Sequence, residues 1–208
     1  KLNIAIIGAT GYTGLDLVYL LSKHPKAKIC YLCATKNLGK NINFFDKRIK
    51  KRLPKISPIK SINWSILDVV FLSLPNGEAQ KIVKKNYFVY KKIKFIDLSA
   101  DFRLTNLKIH NQTYNLKHNA KNLIDKSIYS LTEIVKTKIL SKRIIANPGC
   151  YPTSVQIPLI PLIKKNLIVN KNIIIDAKSG YSGAGKNLEK KFKHKNLYSS
   201  TYAYSIQK

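Results

Sequence analysis

Acidic residues are scarce in this 208-residue chain: 10 Asp and Glu stand against 38 Lys and Arg, a formal net charge of +28. Such a balance would suit a nucleic-acid surface. Arginine, however, is scarce as well. Only Arg48, Arg52, Arg103 and Arg143 occur, and the other cations are lysines. Arginine is the planar fork that reads bases and grips phosphates, so its scarcity argues against a specialised nucleic-acid face. The lysines are spread along the whole chain among Ile and Asn residues, a pattern of drift toward A/T-rich codons. The densest basic run, Lys47-Arg48-Ile49-Lys50-Lys51-Arg52, reads as a solvated loop or helix face. No nucleic-acid partner is expected.

Cysteine is also rare, with Cys30, Cys33 and Cys150 making an odd count that excludes a disulfide framework. Cys30-Tyr31-Leu32-Cys33 has CxxC spacing, but it lies in an apolar run that reads as a strand. No second pair completes a zinc site, so both read as core residues and no metal is expected. No apolar run approaches the roughly 18–20 residues that span a membrane. No signal peptide precedes the first strand. These absences point to a cytoplasmic, reduced protein with no membrane partner.

What remains is 45% hydrophobic, enough to bury a core. At about 100–200 residues per domain, one or two domains fit. Asn3 to Ile7 is a short apolar run ending in Gly8, which reads as a buried parallel strand. Asp16 to Ser22 carries apolar residues at helical spacing and stops before Pro25. Lys28 to Ala34 is a second strand, completing a βαβ unit. Lys40 to Lys60 is basic, holds Pro54 and Pro58, and reads as mostly irregular. Further strands are predicted at Asp68–Leu74, Lys94–Leu98, Arg143–Ala146 and Asn172–Ala177, with a helix over Glu78–Asn86. Thr153 to Asn166 has helical length, but Pro158 and Pro161 should kink or shorten it. Alternating strands and helices predict an α/β, Rossmann-type doubly wound sheet.

The first turn is Gly8-Ala9-Thr10-Gly11-Tyr12-Thr13-Gly14. Glycines at every third position permit a tight strand-to-helix turn and close backbone approach to a pyrophosphate, which the helix N-terminus then favours. The preceding strand and following helix give the pattern its confirming context, so a dinucleotide is expected on Gly8, Thr10, Gly11, Tyr12, Thr13 and Gly14. A ribose 2′-OH site needs an Asp or Glu about 20 residues on. That region reads Ala34-Thr35-Lys36, with a hydroxyl and a cation but no carboxylate. Thr35 and Lys36 suit a 2′-phosphate, so NADP(H) is the expected cofactor.

The stretch Asn147-Pro148-Gly149-Cys150-Tyr151-Pro152-Thr153 places a cysteine where a strand ends and a helix begins. A helix N-terminus favours the thiolate, which is the nucleophilic form. A buried structural cysteine at a turn fits the same stretch.

The motifs GATGYTG at 8–14, LPNGEA at 74–79, DLSADFRL at 97–104, NPGCYPT at 147–153 and DAKSGYSGAGK at 176–186 occur in one order along the chain. In that order the sequence resembles the N-acetyl-gamma-glutamyl-phosphate reductase family. The resemblance implies a fold with a Rossmann domain at 1–149 and an incomplete second α/β, semialdehyde dehydrogenase-like domain for catalysis and dimerisation at 150–208. It implies NADPH-dependent reduction of an acyl phosphate to N-acetyl-glutamate semialdehyde in arginine biosynthesis, with Cys150 as covalent nucleophile. Arg103 is then a bidentate partner for the substrate carboxylate or phosphate. Asn147 orients substrate or an oxyanion, and Ser179, Gly180, Ser182 and Gly183 form an anion nest. A homo-oligomer is implied.

The family's acid/base histidine lies in a downstream segment with two closely spaced histidines. His24, His110, His118 and His194 match no such segment, and each reads as a surface residue. The expectation is a truncated chain or degraded gene product, weakly active or inactive alone. Aspartate-semialdehyde dehydrogenase, which shares fold and chemistry, and a non-catalytic NADP-binding remnant are the alternatives.

Overall fold

The structure is a computed structural model that describes residues 1–135, 137–180 and 183. It divides into two compact units, Lys1–Thr153 and Ser154–Lys208. The first unit opens with strand β1 (Leu2–Ile7), helix α1 (Tyr12–Lys23) and strand β2 (Ala27–Cys33). β3 (Ile56–Ser57) and β4 (Val69–Leu72) follow, then α2 (Glu78–Asn86), β5 (Lys94–Asp97), α3 (Leu107–Tyr114), β6 (Ser127–Tyr129) and β7 (Ile144–Ala146). Helix α4 (Cys150–Lys164) begins in the first unit and continues into the second.

The seven strands form one sheet in the order β3-β2-β1-β4-β5-β7-β6. Every pairing is parallel. Parallel strands are covered on both faces, which explains the near-continuous apolar runs Ile4-Ala5-Ile6-Ile7 and Val69-Val70-Phe71-Leu72. Their side chains alternate between two cores. Ala5, Ile7, Val70, Leu72 and Phe95 join one core, with Phe102, Ala120 and Leu123. Ile4, Ile6, Ile29 and Leu32 join the other, with Leu15 and Val18 of α1. Burying each such Val or Leu stabilises the fold by about 1.5–3 kcal/mol.

The CxxC segment shows how register shapes this core. Residues three apart on a regular strand face opposite sides. Here the pairing skips from Ile4↔Ile29 to Ala5↔Tyr31, a bulge at Cys30. Cys30, Tyr31 and Cys33 therefore pack against the same cluster, while Ile29 and Leu32 face the other. Cys33 is buried and Cys30 half-buried. Burial pushes the Cys33 thiol up, opposed by its hydrogen bond with Ser57.

The predicted alternation of strands and helices is present, and the Glu78–Asn86 helix has the expected bounds. The 40–60 region is largely irregular, with β3 pairing at the sheet edge. Its basic run is exposed except Ile49, which is a buried anchor. Arg48 of that run pairs with Asp46 and Asp16.

Other expectations need correction. Helix α4 is not shortened by its prolines and runs through Pro158 and Pro161. Each proline removes one bond of the ladder, and the flanking turns carry the helix past it. Asn172–Ala177 is not a strand among the described residues; it is an exposed, irregular segment with Ile174 93% exposed. A strand needs a ladder partner for its backbone groups, and none of the described pairings includes this segment. Helix α3 and strand β6 went unforeseen. Both are short, and α3 is held by its ends: Asn106 accepts from Lys108 N and Ile109 N, and Asn115 ends it at φ 47. His110 and His118 are not surface residues but fully buried. His194 lies outside the described residues.

Candidate active site

The glycine turn is built by contacts no other residue allows. Gly8 has φ +88, and a Cβ there would lie 1.9 Å from the Ser73 carbonyl oxygen. A Cβ on Gly14 would lie 2.1 Å from the Gly8 carbonyl oxygen, so α1 packs directly on the turn. Gly11 differs, since its Cβ would meet the Gly8 oxygen at an ordinary 3.5 Å. Gly11 is also the N-cap of α1 and supplies no capping side chain, and the first turn holds no acidic residue. The end of α1 is therefore dressed for an anion. The turn is anchored by Gly8 N and Ala9 N donating to the Cys33 carbonyl at 2.9 and 3.0 Å.

Thr10, Gly11 and Tyr12 line this turn half-buried, and Thr13 is exposed. Thr35 and Lys36 are exposed just past the end of β2, the strand beside β1. β1 sits where the strand order reverses, between β2 and β4. Open α/β sheets bind ligands outside the carboxyl ends at that switch point.

The strand ends also place the cysteine. Cys33, Ile7, Leu72, Asp97 and Ala146 pair in one row across β2, β1, β4, β5 and β7. The glycine turn follows Ile7, and the cysteine turn follows Ala146. Three strand spacings separate them, roughly 14 Å along the edge. Asn147 N donates to the Asp97 carbonyl at 2.7 Å, which extends β7 by one residue. The Gly149 carbonyl accepts from Thr153 N at 3.0 Å, the first bond of α4. Cys150 is thus the first residue of the helix, exposed and free. No acidic residue sits in that first turn either. Of the two readings open at this cysteine, burial within a turn does not describe it.

Between the two turns lies the loop after β5. Asp101 is buried, and its carboxylate accepts from Gly77 N at 2.6 Å and Gln80 N at 2.9 Å. It caps α2, whose own N-cap Gly77 has no side chain and φ 92. Ser99 Oγ accepts from Asp101 N, and Asn76 Oδ1 from Ala100 N. His118 Nδ1 accepts from Ala120 N at 3.1 Å, which leaves Nε2 to donate to the Asp101 carbonyl at 2.8 Å. Burial holds His118 below the ordinary imidazole range, against the pull of that Asp101 bond. Asn119 N donates to Gln80 Oε1, closing the network. The DLSADFR segment is therefore largely a scaffold.

Arg103 lies half-buried in this scaffold. Its Nε donates to the Asn147 carbonyl and its Nη2 to the Leu98 carbonyl, both at 2.9 Å. Asn147 itself is exposed, with Nδ2 donating to the Pro148 carbonyl. Asp97 was not singled out in the sequence, though its motif was. It is fully buried; Oδ1 accepts from Ser99 N at 2.8 Å, and Oδ2 has no partner. Burial pushes its carboxyl up to about 6, opposed by the Ser99 bonds. An aspartate closing an apolar strand is the available sequence signal.

Ser179, Gly180 and Gly183 belong to the second unit, where Gly183 N donates to the Gly180 carbonyl at 3.0 Å. Ser182 lies outside the described residues. Among the described residues no helix is long and apolar enough to cross a membrane.

A family model described as semialdehyde dehydrogenase, NAD binding domain, matches residues 3–142. The chain belongs to the semialdehyde dehydrogenase family. A second model of this family, the dimerisation domain, matches residues 150–208. Curated relatives carry a narrower name. A probable chloroplastic N-acetyl-gamma-glutamyl-phosphate reductase of Oryza sativa subsp. japonica is 40% identical, covering 100% of this chain and 49% of its own. N-acetyl-gamma-glutamyl-phosphate reductase of Ehrlichia canis (strain Jake) is 45% identical, covering 97% of this chain and 57% of its own. The chain thus spans about half of the length of the curated relatives it matches. Among solved structures, aspartate semialdehyde dehydrogenase II from Vibrio cholerae aligns with TM-score 0.63 at 18% identity, over 98% of this chain and 58% of that one. Aspartate semialdehyde dehydrogenase with NADP from Candida albicans aligns with TM-score 0.53 at 20% identity, over 79% of this chain and 47% of that one. At such identities these two likenesses speak for the fold.

Proposed function

We propose that the protein is an NADPH-dependent reductase that converts N-acetyl-gamma-glutamyl phosphate to N-acetyl-glutamate semialdehyde and phosphate, in arginine biosynthesis. One observation carries the reading: an exposed cysteine opens a helix on the same sheet edge as a glycine cradle. The names of the relatives at 40–45% identity favour this substrate over aspartate semialdehyde.

The cradle fits a dinucleotide, because Gly8 and Gly14 leave no room for a Cβ and α1 opens there with no acidic residue in its first turn. Thr35 and Lys36 would hold the 2′-phosphate, and the Gly8–Gly14 turn the pyrophosphate. When bound, NADPH supplies the hydride that reduces the acyl group.

The thiolate of Cys150 attacks the acyl-phosphate carbonyl. The C–S bond forms, the C–O bond to phosphate breaks, and phosphate leaves with its electron pair. The product is a thioester on Cys150, held in place for reduction. After reduction the C–S bond breaks, the aldehyde forms, and Cys150 leaves as thiolate. Asn147, three residues before Cys150 in the chain, would orient the carbonyl oxygen. Arg103 keeps Nη1 for a substrate anion. Free thiols suit a reducing compartment such as the cytoplasm. We propose a homo-oligomer, supported by the match to a dimerisation domain.

The test is phosphate-dependent oxidation of N-acetyl-glutamate semialdehyde by NADP with the full-length protein. Cys150→Ser should lose nearly all turnover while still binding NADPH. Equal turnover in both proteins overturns the mechanism.

A further inference from the structure

Arg103 is bound by backbone on two sides. Leu98 follows β5 and Asn147 follows β7, and the guanidinium donates to both carbonyls. One side chain therefore joins the ends of two neighbouring strands. Its third nitrogen, Nη1, lies 3.0 Å from the point that a Cβ on Gly149 would occupy. Gly149 directly precedes Cys150, and its carbonyl starts α4. Pro148, between the two contacts, has no N–H with which to anchor the turn. Glycine at 149 is what lets the guanidinium lie against that turn.

We propose that Arg103 is a positioning residue for Cys150, clamping the Asn147–Gly149 turn so that the thiol keeps its line of attack. This rests on the reductase reading and goes beyond a substrate-binding role for Arg103. The clamp requires the planar fork rather than the positive charge. A lysine keeps the charge, but its ammonium is a point donor and cannot reproduce donors fixed in one plane toward Leu98 and Asn147. Misplacing a reacting group by about 1 Å lowers its rate on the order of a hundredfold.

The clamp and an anion site predict different kinetics for Arg103→Lys and Arg103→Gln in the full-length protein. With a clamp, both variants lower kcat by about 10- to 100-fold, whatever KM for the acyl phosphate does through the separate anion contact of Nη1. Amide exchange across 147–153, measured without substrate, also becomes faster in both. The clamp is overturned if Arg103→Lys keeps wild-type kcat, if KM rises with kcat unchanged, or if exchange does not change. Absence of turnover in the wild type would instead sink the reductase reading, and the exchange measurement still decides the clamp. Should the Arg103 variants fail to fold, Gly149→Ala crowds Nη1 while keeping the arginine. It must show the same loss of kcat and faster exchange, and wild-type values for both refute the clamp.

Discussion

Replacing Asp97 by asparagine should stabilise the first unit at neutral pH and abolish one part of its pH dependence. Asp97 is fully buried, and its Oδ2 has no hydrogen-bond partner. Its carboxyl is raised from the ordinary 3.8 to about 6. That shift of roughly two units corresponds to about 3 kcal/mol at 1.36 kcal/mol per unit. The sign follows from proton binding. The folded state keeps the proton up to about pH 6. The unfolded state releases it near the ordinary carboxylate value. Stability therefore falls as pH rises through that window, and the penalty is complete above pH 6. The Asp97→Asn side chain would keep the acceptor for Ser99 N and remove the charge. Its amide hydrogens would lack partners at the Oδ2 position, which costs about 1–2 kcal/mol. The net gain at pH 7.5 is about 1–2 kcal/mol, the difference between the relieved charge and the unpaired amide. At pH 4, where Asp97 is neutral in the folded state and about half ionised in the unfolded one, little of the charge penalty remains, and the variant should be the less stable protein by about 1 kcal/mol. Trp64, the sole tryptophan, packs against the core of the first unit and reports its unfolding. Urea titrations followed by its fluorescence at pH 7.5, 6, 5 and 4 give the comparison. A variant destabilised at pH 7.5, or a stability difference that does not change with pH, refutes the reasoning.

The remaining predictions concern the cofactor and the buried histidine. Lys36→Glu should place a carboxylate opposite the 2′-phosphate; the ratio of NADP to NAD affinity should fall at least about tenfold, equivalent to about 1.4 kcal/mol, in fluorescence titrations. An unchanged ratio removes Lys36 from the site. His118 is held below its ordinary range, so the unfolded state takes up its proton first as pH falls. Its contribution is full above the unfolded value and is lost as pH drops below it. In the Asp97→Asn background, thermal stability should therefore decline from pH 6.5 to 5, and His118→Gln should flatten that decline. No decline in that background would show that His118 charges without penalty.

Much of the fold was legible because it depends on neighbours in sequence. Apolar runs of strand length marked β1, β2, β4, β5 and β7, and the Pro75-Asn76-Gly77 stop left Glu78–Asn86 as the segment for α2. Glycine spacing marked the cradle, because the turn's close approaches fall within one βα unit. What escaped was short or non-local. β6 has three residues and no period to read, and α3 is defined by its Asn caps. The buried histidines could not be seen, since the Asp101 carbonyl that binds His118 is 17 residues away.

The sequence by itself determined which residues could do chemistry: a cysteine at a strand-to-helix corner, and a glycine turn too tight for side chains. Both follow from backbone sterics and helix ends, which are local. Only the tertiary structure decided that these turns share one sheet edge, because strand order is set by pairing between segments far apart in the chain. It also decided what surrounds the cysteine. Asp101 caps a helix more than 20 residues away, and Arg103 reaches 44 residues forward to the turn before Cys150. Polar side chains take their roles from partners that folding brings to them.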